Sequence, residues 1–195
     1  MRNPAPTLTP LLRSDAQGRL LGELFTHPEQ ESTISDLAAR TGDALATVQR
    51  EVTRLAEAGY VRTRKVGPAR LVRVETEHPL YDPVSRLVMA TYGPLPALCA
   101  ALAPIDGVEA AFVFGSWAAR MEGEPGPFPA DVDVLVVGTV SRLDVFESVA
   151  DVEREVGRPV NATVVAPERW SHGDDGFVES VRSRPKVRIP LEECR

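Results

Sequence analysis

The segment 33–61, TISDLAARTGDALATVQREVTRLAEAGYV, contains two helical patterns separated by a Gly-Asp turn. Ser35 is the candidate N-cap of the first pattern, which ends at Thr41, and the second extends from Ala44 to about Ala58. Apolar residues at 3-4-3 spacing predict a buried stripe on the second helix: Leu45, Val48, Val52 and Leu55. The opposite face carries small, polar or basic residues: Ala46, Thr47, Arg50, Arg54 and Glu57. The segment therefore predicts two helices joined by a tight turn, of which the second exposes a partly basic face.

The residues on both sides of this segment complete a small domain. A helical pattern begins at Ser14 and stops at His27-Pro28, and two β-rich runs at 60–66 and 69–74 flank the turn dipeptide Gly67-Pro68. Three helices closed by a basic hairpin are the order of a winged helix-turn-helix, which we place at 14–77, after an extended or disordered segment 1–13. The pattern resembles the DNA-binding core of bacterial winged-helix regulators of the ArsR and MarR kind.

This resemblance implies that the domain binds double-stranded DNA. In a helix-turn-helix the second helix of the motif reads base edges in the major groove, and a basic hairpin suits the DNA backbone or the minor groove. Eight basic and three acidic residues lie from Arg40 to Arg73, which favours a polyanionic partner, although a solvated surface or a protein-binding domain is the alternative. The candidate DNA-binding residues are Thr47, Gln49, Arg50, Thr53 and Arg54 on the helix and Arg62, Arg64, Lys65 and Arg70 on the hairpin.

The segment 78–104 mixes apolar residues with prolines, among them Pro79, Pro83, Pro94 and Pro96. We interpret it as a helical linker of one or two helices, broken at Gly93-Pro94. Winged-helix regulators of this size usually read two DNA half-sites as dimers, and the apolar residues from Leu80 to Leu102 are the candidate two-fold contact. We therefore expect a homodimer.

Beyond residue 105 the pattern changes to alternating strands and helices. Strands are predicted at 108–114, 131–137 and 159–165 and a helix at 141–156. In the segment FVFGSWAAR, residues 112–120, an apolar strand ends in Gly-Ser at the start of a helix. Such a turn can present backbone N–H groups and a hydroxyl to a phosphate. Asp131 and Asp133 are spaced i and i+2 on a strand, so both carboxylates project from one face and can share a Mg²⁺ ion.

Together these two motifs resemble the minimal nucleotidyltransferases of the DNA polymerase β superfamily. The resemblance implies that Gly115, Ser116 and Arg120 bind a nucleoside triphosphate, and that Asp131 and Asp133 are catalytic ligands of Mg²⁺. Asn161 stands where the family usually has a third carboxylate. A neutral amide cannot act as a general base, so the sequence leaves open whether this domain, at 105–195, is an enzyme.

The sequence predicts an α+β protein of two domains, a winged helix-turn-helix followed by a nucleotidyltransferase-like mixed sheet with flanking helices. We expect a DNA-binding transcriptional regulator whose second domain binds a nucleoside triphosphate and Mg²⁺. The alternative is an active nucleotidyltransferase of the toxin–antitoxin kind, which adds a nucleotide to a protein or RNA and uses the winged helix for autoregulation.

Composition supports a globular chain without membrane attachment. The 195 residues carry a net charge of −6 and are 43% hydrophobic, and the apolar runs are far shorter than the roughly 18–20 residues that span a bilayer. The N-terminus does not resemble a secretory signal, so we expect a cytoplasmic protein. Cys99 and Cys194 match no metal-binding spacing and are expected to be reduced thiols.

Overall fold

The computed structural model describes residues 11–173 and 175–194 and is an α+β structure with two β-sheets. The chain divides into two compact units, one ending at Gly93 and the other beginning at Pro94. Of the predicted extended segment 1–13, residues 1–10 lie outside the described residues. Leu12 packs against the core of the first unit, and Arg13 forms an ion pair with Glu51, so the end of this segment is attached to the domain.

In the described residues, the first unit contains four α-helices and a small antiparallel sheet. Its elements are α1 (Asp15–Thr26), β1 (Ser32–Thr33), α2 (Ile34–Thr41), α3 (Leu45–Glu57), β2 (Val61–Val66), β3 (Ala69–Val74) and α4 (Tyr81–Tyr92). The strand order is β1-β3-β2, so β2 and β3 form the expected hairpin. The two-residue strand β1 was not expected, because so short an element leaves no periodic signal. The core contains Leu20, Phe25, Leu37, Val52 and Val72, all of them almost completely buried.

The helix starts follow capping chemistry. Ser14 is the N-cap of α1, and its hydroxyl accepts from the backbone N–H of Gln17. The prediction that Ser35 caps α2 is wrong: Thr33 is the N-cap, and its hydroxyl accepts from the backbone N–H of Asp36 while the Asp36 carboxylate accepts from the backbone N–H of Thr33. This reciprocal capping box begins the helix two residues earlier than a cap at Ser35 would.

Helix α4 packs closely against α1 within the first unit. A Cβ atom at Gly18 would lie 1.9 Å from the hydroxyl oxygen of Tyr92, and one at Gly22 would lie 2.9 Å from the Tyr92 Cβ. Only glycine therefore allows the tyrosine of α4 to lie against α1. Val88 belongs to the same core, whereas Leu87 is exposed.

The second unit is a mixed four-stranded sheet with flanking helices. Its elements are α5 (Pro94–Leu102), β4 (Val108–Phe114), α6 (Gly115–Met121), β5 (Val132–Gly138), α7 (Arg142–Val156), β6 (Val160–Val165), α8 (Pro167–His172), α9 (Gly176–Ser183), β7 (Lys186–Arg188) and a 3₁₀ helix (Leu191–Glu193). The strand order is β6-β5-β4-β7; β5 and β6 are parallel and the other pairs are antiparallel. The predicted linker region thus contains two helices, α4 in the first unit and α5 in the second.

The expectation of two reduced thiols is wrong, because Cys99 and Cys194 form a disulfide bond. Cys99 lies on α5, and the 3₁₀ helix at the end of the chain packs against that helix through the buried Leu191. This packing brings the two Cα atoms to 6.0 Å although the cysteines are 95 residues apart in sequence. Spacing in the sequence carries no signal for such a pair, because only the tertiary contact brings them together.

Candidate functional site

The exposed face of α3 carries most of the helix residues expected to contact DNA. Gln49, Arg50 and Arg54 are exposed, and Thr47 and Thr53 are partly buried at the edges of this face. Among the described residues no ion-pair partner of Arg50 is present, so its guanidinium is free to contact a ligand. This surface, with Ala46 and Glu57, faces away from the core that Val48 and Val52 enter.

The predicted core stripe of α3 needs one correction. Leu45 is 51% exposed, because it is the first residue of the helix and lies beyond the core that begins at Val48. Glu51 is buried instead, with 6% of its surface exposed. Its two carboxylate oxygens accept from Arg13 Nη2 at 2.6 Å and from Arg54 Nη1 at 3.2 Å. Glu51 therefore fixes one side of Arg54 and is a positioning residue that sequence periodicity does not reveal.

The β2–β3 hairpin divides its basic residues between two faces. Successive side chains alternate across a strand, and residues directly opposite in an antiparallel pair share a face. The pairs Thr63–Val72 and Lys65–Arg70 therefore lie on the face that packs against the core and α3. Arg70 Nη1 donates to Thr53 Oγ1 at 3.4 Å, which brings this arginine to the edge of the α3 surface.

Arg62 and Arg64 lie on the opposite face and contact acidic residues of the same unit. Arg62 forms an ion pair with Glu75, and Arg64 Nε donates to Glu31 Oε1 at 2.9 Å as one half of a bidentate pair. Lys65 is exposed, and no partner for it is present in the described part of the chain. Of the four hairpin residues predicted to bind DNA, Arg70 thus contacts α3 and Lys65 lies opposite Arg70 on the same face of the hairpin, whereas Arg62 and Arg64 lie on the other face.

In the second unit one row of side chains crosses the sheet. The strand registers place Lys186, Phe114, Asp133 and Asn161 side by side on β7, β4, β5 and β6. Asn161 Nδ2 donates to Asp131 Oδ2 at 3.0 Å and to Asp133 Oδ1 at 3.3 Å. The amide therefore holds two carboxylates together at the start of β5.

The environment of Asp133 disfavours its negative charge. Partial burial raises the pKa of the Asp133 carboxyl, the hydrogen bond from Asn161 lowers it, and the charge of Asp131 raises it further, so that the pKa lies above its ordinary value. A nearby cation would relieve this cost. Within the described residues, no three His, Cys, Asp or Glu side chains are grouped closely enough to hold a metal ion.

The turn from β4 into α6 lies directly over Asp133. Gly115 has φ +69°, and a Cβ atom there would come within 2.5 Å of Asp133 Oδ2. Only glycine therefore permits this close approach. Ser116 is exposed beside it. Arg120, the third residue expected to bind nucleotide, has its Nε and Nη1 atoms buried without a hydrogen-bond partner among the described residues.

An aromatic contact anchors the segment between α6 and β5. The Phe128 ring meets the Trp117 ring edge-to-face at a centroid distance of 5.4 Å, and the Arg158 guanidinium lies 4.9 Å from the Phe128 centroid. Arg158 also donates to the Pro129 carbonyl at 2.7 Å. Trp117 is thus a core residue rather than a surface for stacking a base, and Arg158 is a supporting residue that the sequence analysis missed.

Comparison with known proteins gives a family match within the first unit only. Residues 21–65, from α1 to β2, match the family model described as the IclR helix-turn-helix domain. This family differs from the ArsR and MarR regulators named above, but it shares the helix-turn-helix with them. No curated protein and no solved structure matches the chain. None of the helices in the described part of the chain is long and apolar enough to span a membrane. The N-terminal part of the chain contains a helix-turn-helix DNA-binding domain, and this domain suggests a DNA-binding transcriptional regulator.

Proposed function

We propose that this protein is a transcriptional regulator of the winged-helix type that reads duplex DNA through the exposed face of α3. The observation that carries this proposal is the position of Arg50 and Gln49, both exposed in the N-terminal half of α3, with no ion-pair partner for Arg50 in the described residues. An arginine can donate twice to guanine and a glutamine can pair with adenine in the major groove. These two residues would therefore determine which DNA sequence the protein prefers.

Phosphate contacts would come from the edges of the same surface. Arg54 is held by Glu51, and Arg70 contacts Thr53, so both cations border the base-reading residues. Lys65 lies beside Arg70 on the hairpin. Such contacts fix the position of a protein on DNA without reading its sequence. Arg62 and Arg64 would reach DNA only after leaving Glu75 and Glu31, so we assign them a structural role first.

We also propose that the regulator is a homodimer and that α4 forms the contact. Exposed apolar residues follow one side of this helix: Leu80, Pro83, Leu87 and Ala90. A two-fold dimer would place two α3 helices on successive turns of a palindromic site. Leu87→Glu is then expected to give a monomer in analytical ultracentrifugation, whereas Leu143→Glu, a change at an exposed leucine of α7, is expected to leave the dimer intact. A wild-type chain that sediments as a monomer would contradict the proposal.

Selection from a random duplex library tests the DNA-binding proposal. We expect the full chain to enrich one sequence family and to bind the enriched duplex at least about 10³ times more tightly than a shuffled duplex at the same salt concentration. The Arg73→Ala variant, altered on the outer hairpin face, is the matched control and should enrich the same family. Equal affinity for the enriched and shuffled duplexes would contradict sequence-specific binding.

A second proposal concerns nucleotide binding in the second unit, and one observation favours it. The donor set of Asp131 and Asp133 consists of hard carboxylate oxygens on one face, and Gly115 leaves the space above Asp133 free of a Cβ atom, which fits Mg²⁺ shared with a nucleotide. When bound, Mg²⁺ would neutralise phosphate charge. Ser116 would donate to the phosphates, and Arg120 has buried nitrogens that require an acceptor.

Asn161 determines which activity this site can support. Its amide aligns the two carboxylates, but it cannot take a proton from an attacking hydroxyl. We therefore favour binding of a nucleoside triphosphate without turnover, as a sensor. Nucleotide transfer to a protein or RNA, as in toxin–antitoxin nucleotidyltransferases, is the alternative.

Calorimetry and labelling separate these two activities. The protein is titrated with Mg²⁺ and each nucleoside triphosphate, and then incubated with labelled nucleotide and host extract. A sensor binds nucleotide and transfers no label, and the Asp131→Asn/Asp133→Asn variant loses the binding. Label transfer that the variant loses would establish the enzyme. Absence of nucleotide binding in the wild-type protein would contradict both activities.

A further inference from the structure

The N-terminal end of α3 presents an apolar surface that the core does not use. Ala44, Leu45 and Ala46 are consecutive and all exposed, with Leu45 the largest of them. The spacing of apolar residues assigns Leu45 to the core, but the structure places it outside. A single exposed leucine is common on protein surfaces, so its position must supply the argument.

Leu45 lies where a recognition helix approaches the bases. The N-terminal residues of such a helix reach the floor of the major groove. Positions i, i+4 and i+8 follow one line along a helix, so Leu45 is aligned with Gln49 and Thr53. That line ends at Arg70, which donates to Thr53. The leucine is therefore the leading residue of the same surface that we propose reads DNA.

The chemistry of this surface restricts what it can recognise. The side chains of residues 44–46 have no donor or acceptor, and the first turn of α3 has no acidic residue to repel phosphate. Among the groups that the base pairs expose in the major groove, the 5-methyl group of thymine is the apolar one. Contact with this methyl group would remove apolar surface of both partners from water.

We propose that Leu45 contacts the 5-methyl group of thymine, so that the preferred duplex carries a thymine opposite the N-terminal end of α3. Leu45 is thereby a specificity-determining residue, and this assignment rests on the DNA-binding function proposed above. Gln49 and Arg50 would read the neighbouring base pairs by hydrogen bonds, and Leu45 would add a position that is read by apolar contact.

Replacement of thymine by deoxyuridine tests this assignment, because it removes only the methyl group. Each thymine of the enriched duplex is replaced in turn, and the Kd is measured for the wild-type chain, Leu45→Ala and Leu143→Ala. At one position per half-site we expect deoxyuridine to weaken wild-type binding about fourfold, the value for one buried methyl-sized group. The penalty should vanish in Leu45→Ala and persist in Leu143→Ala, the control at an exposed leucine of the second unit.

The outcomes separate this assignment from DNA binding itself. A wild-type chain that binds the enriched duplex but is indifferent to deoxyuridine at every position would overturn the role of Leu45 and leave sequence-specific binding intact. If deoxyuridine weakened the binding of Leu45→Ala as much as that of the wild-type chain, the role of Leu45 would also be overturned. Failure to enrich any duplex would overturn the DNA-binding proposal and this assignment together. Thermal unfolding of Leu45→Ala checks that the exposed substitution leaves the domain folded.

Discussion

The fold disfavours the negative charge of Asp133. Burial, opposed by the hydrogen bond from Asn161 and reinforced by the charge of Asp131, raises the pKa of its carboxyl. The folded chain therefore holds this proton more tightly than the unfolded chain does. The stability that comes from the protonated form is complete below the ordinary Asp pKa of about 3.9 and is lost as the pH rises through the raised value. Functional carboxylates often carry such a cost.

We expect Asp133→Asn to be more stable than the wild-type chain at pH 7, with a melting temperature higher by about 1–3 °C. The neutral amide removes the repulsion by Asp131 and the cost of burying a charge. Denaturant unfolding at a series of pH values checks this, with Asp106→Asn, an exposed carboxyl, as the control. The variant should show a smaller loss of unfolding free energy between pH 4 and pH 7 than the control does, and an equal loss would contradict the account.

Substitutions in the β2–β3 hairpin distinguish the residues that would contact DNA from those that form ion pairs within the first unit. Lys65→Ala and Arg70→Ala should each weaken binding to all duplexes alike and reduce the slope of log K against log salt by about 0.9, because each removes one phosphate contact. Arg62→Ala and Arg64→Ala, on the ion-paired face, should leave the slope unchanged. Titrations at four salt concentrations check the ranking. The reverse ranking would show that the outer face of the hairpin binds DNA.

At the scale of the element, the start of α2 depends on the capping box of Thr33 and Asp36. We expect Thr33→Ala to lower the free energy of unfolding by about 1 kcal/mol, since it leaves helix N–H groups without their acceptor. Ser35→Ala, two residues later in the same helix, is the matched control and should change stability little. Urea denaturation of both variants measures the difference. Equal effects, or a larger loss in Ser35→Ala, would contradict this assignment of the cap.

The elements were predictable where a local signal existed. Apolar spacing identified α3, and the Gly67-Pro68 dipeptide identified the hairpin, because periodicity and turn chemistry act over a few residues. The same periodicity placed Leu45 in the core, since it cannot tell where along a helix the core begins. The position of Asn161 beside Asp133 follows from the parallel register of β5 and β6.

At the scale of the whole molecule, contacts between distant parts of the sequence were not predictable. The contact of Phe128 with Arg158 and the disulfide bond between Cys99 and Cys194 depend on the packing of complete elements. The sequence shows the residues but not their proximity. At Gly93-Pro94 the sequence predicted only a break between linker helices, whereas the chain divides into its two compact units at this point.

The disulfide bond should stabilise the second unit. It closes a loop of 95 residues, so its loss is expected to lower the free energy of unfolding by about 2–4 kcal/mol. Thermal unfolding with and without dithiothreitol checks this. Cys194→Ser should unfold at the lower temperature under both conditions and show no response to the reductant. A wild-type chain that unfolds identically with and without reductant, after complete reduction is verified, would contradict the stabilising role.

The most direct test of the central claim is the ratio of affinities for the enriched and the shuffled duplex, measured by fluorescence anisotropy for the wild-type chain and Arg50→Ala. If α3 reads the sequence, Arg50→Ala should lose about 1–3 kcal/mol of binding to the enriched duplex and almost none to the shuffled one, because only the base contact is removed. Equal losses on both duplexes, or no loss on either, would show that the exposed face of α3 does not read base pairs.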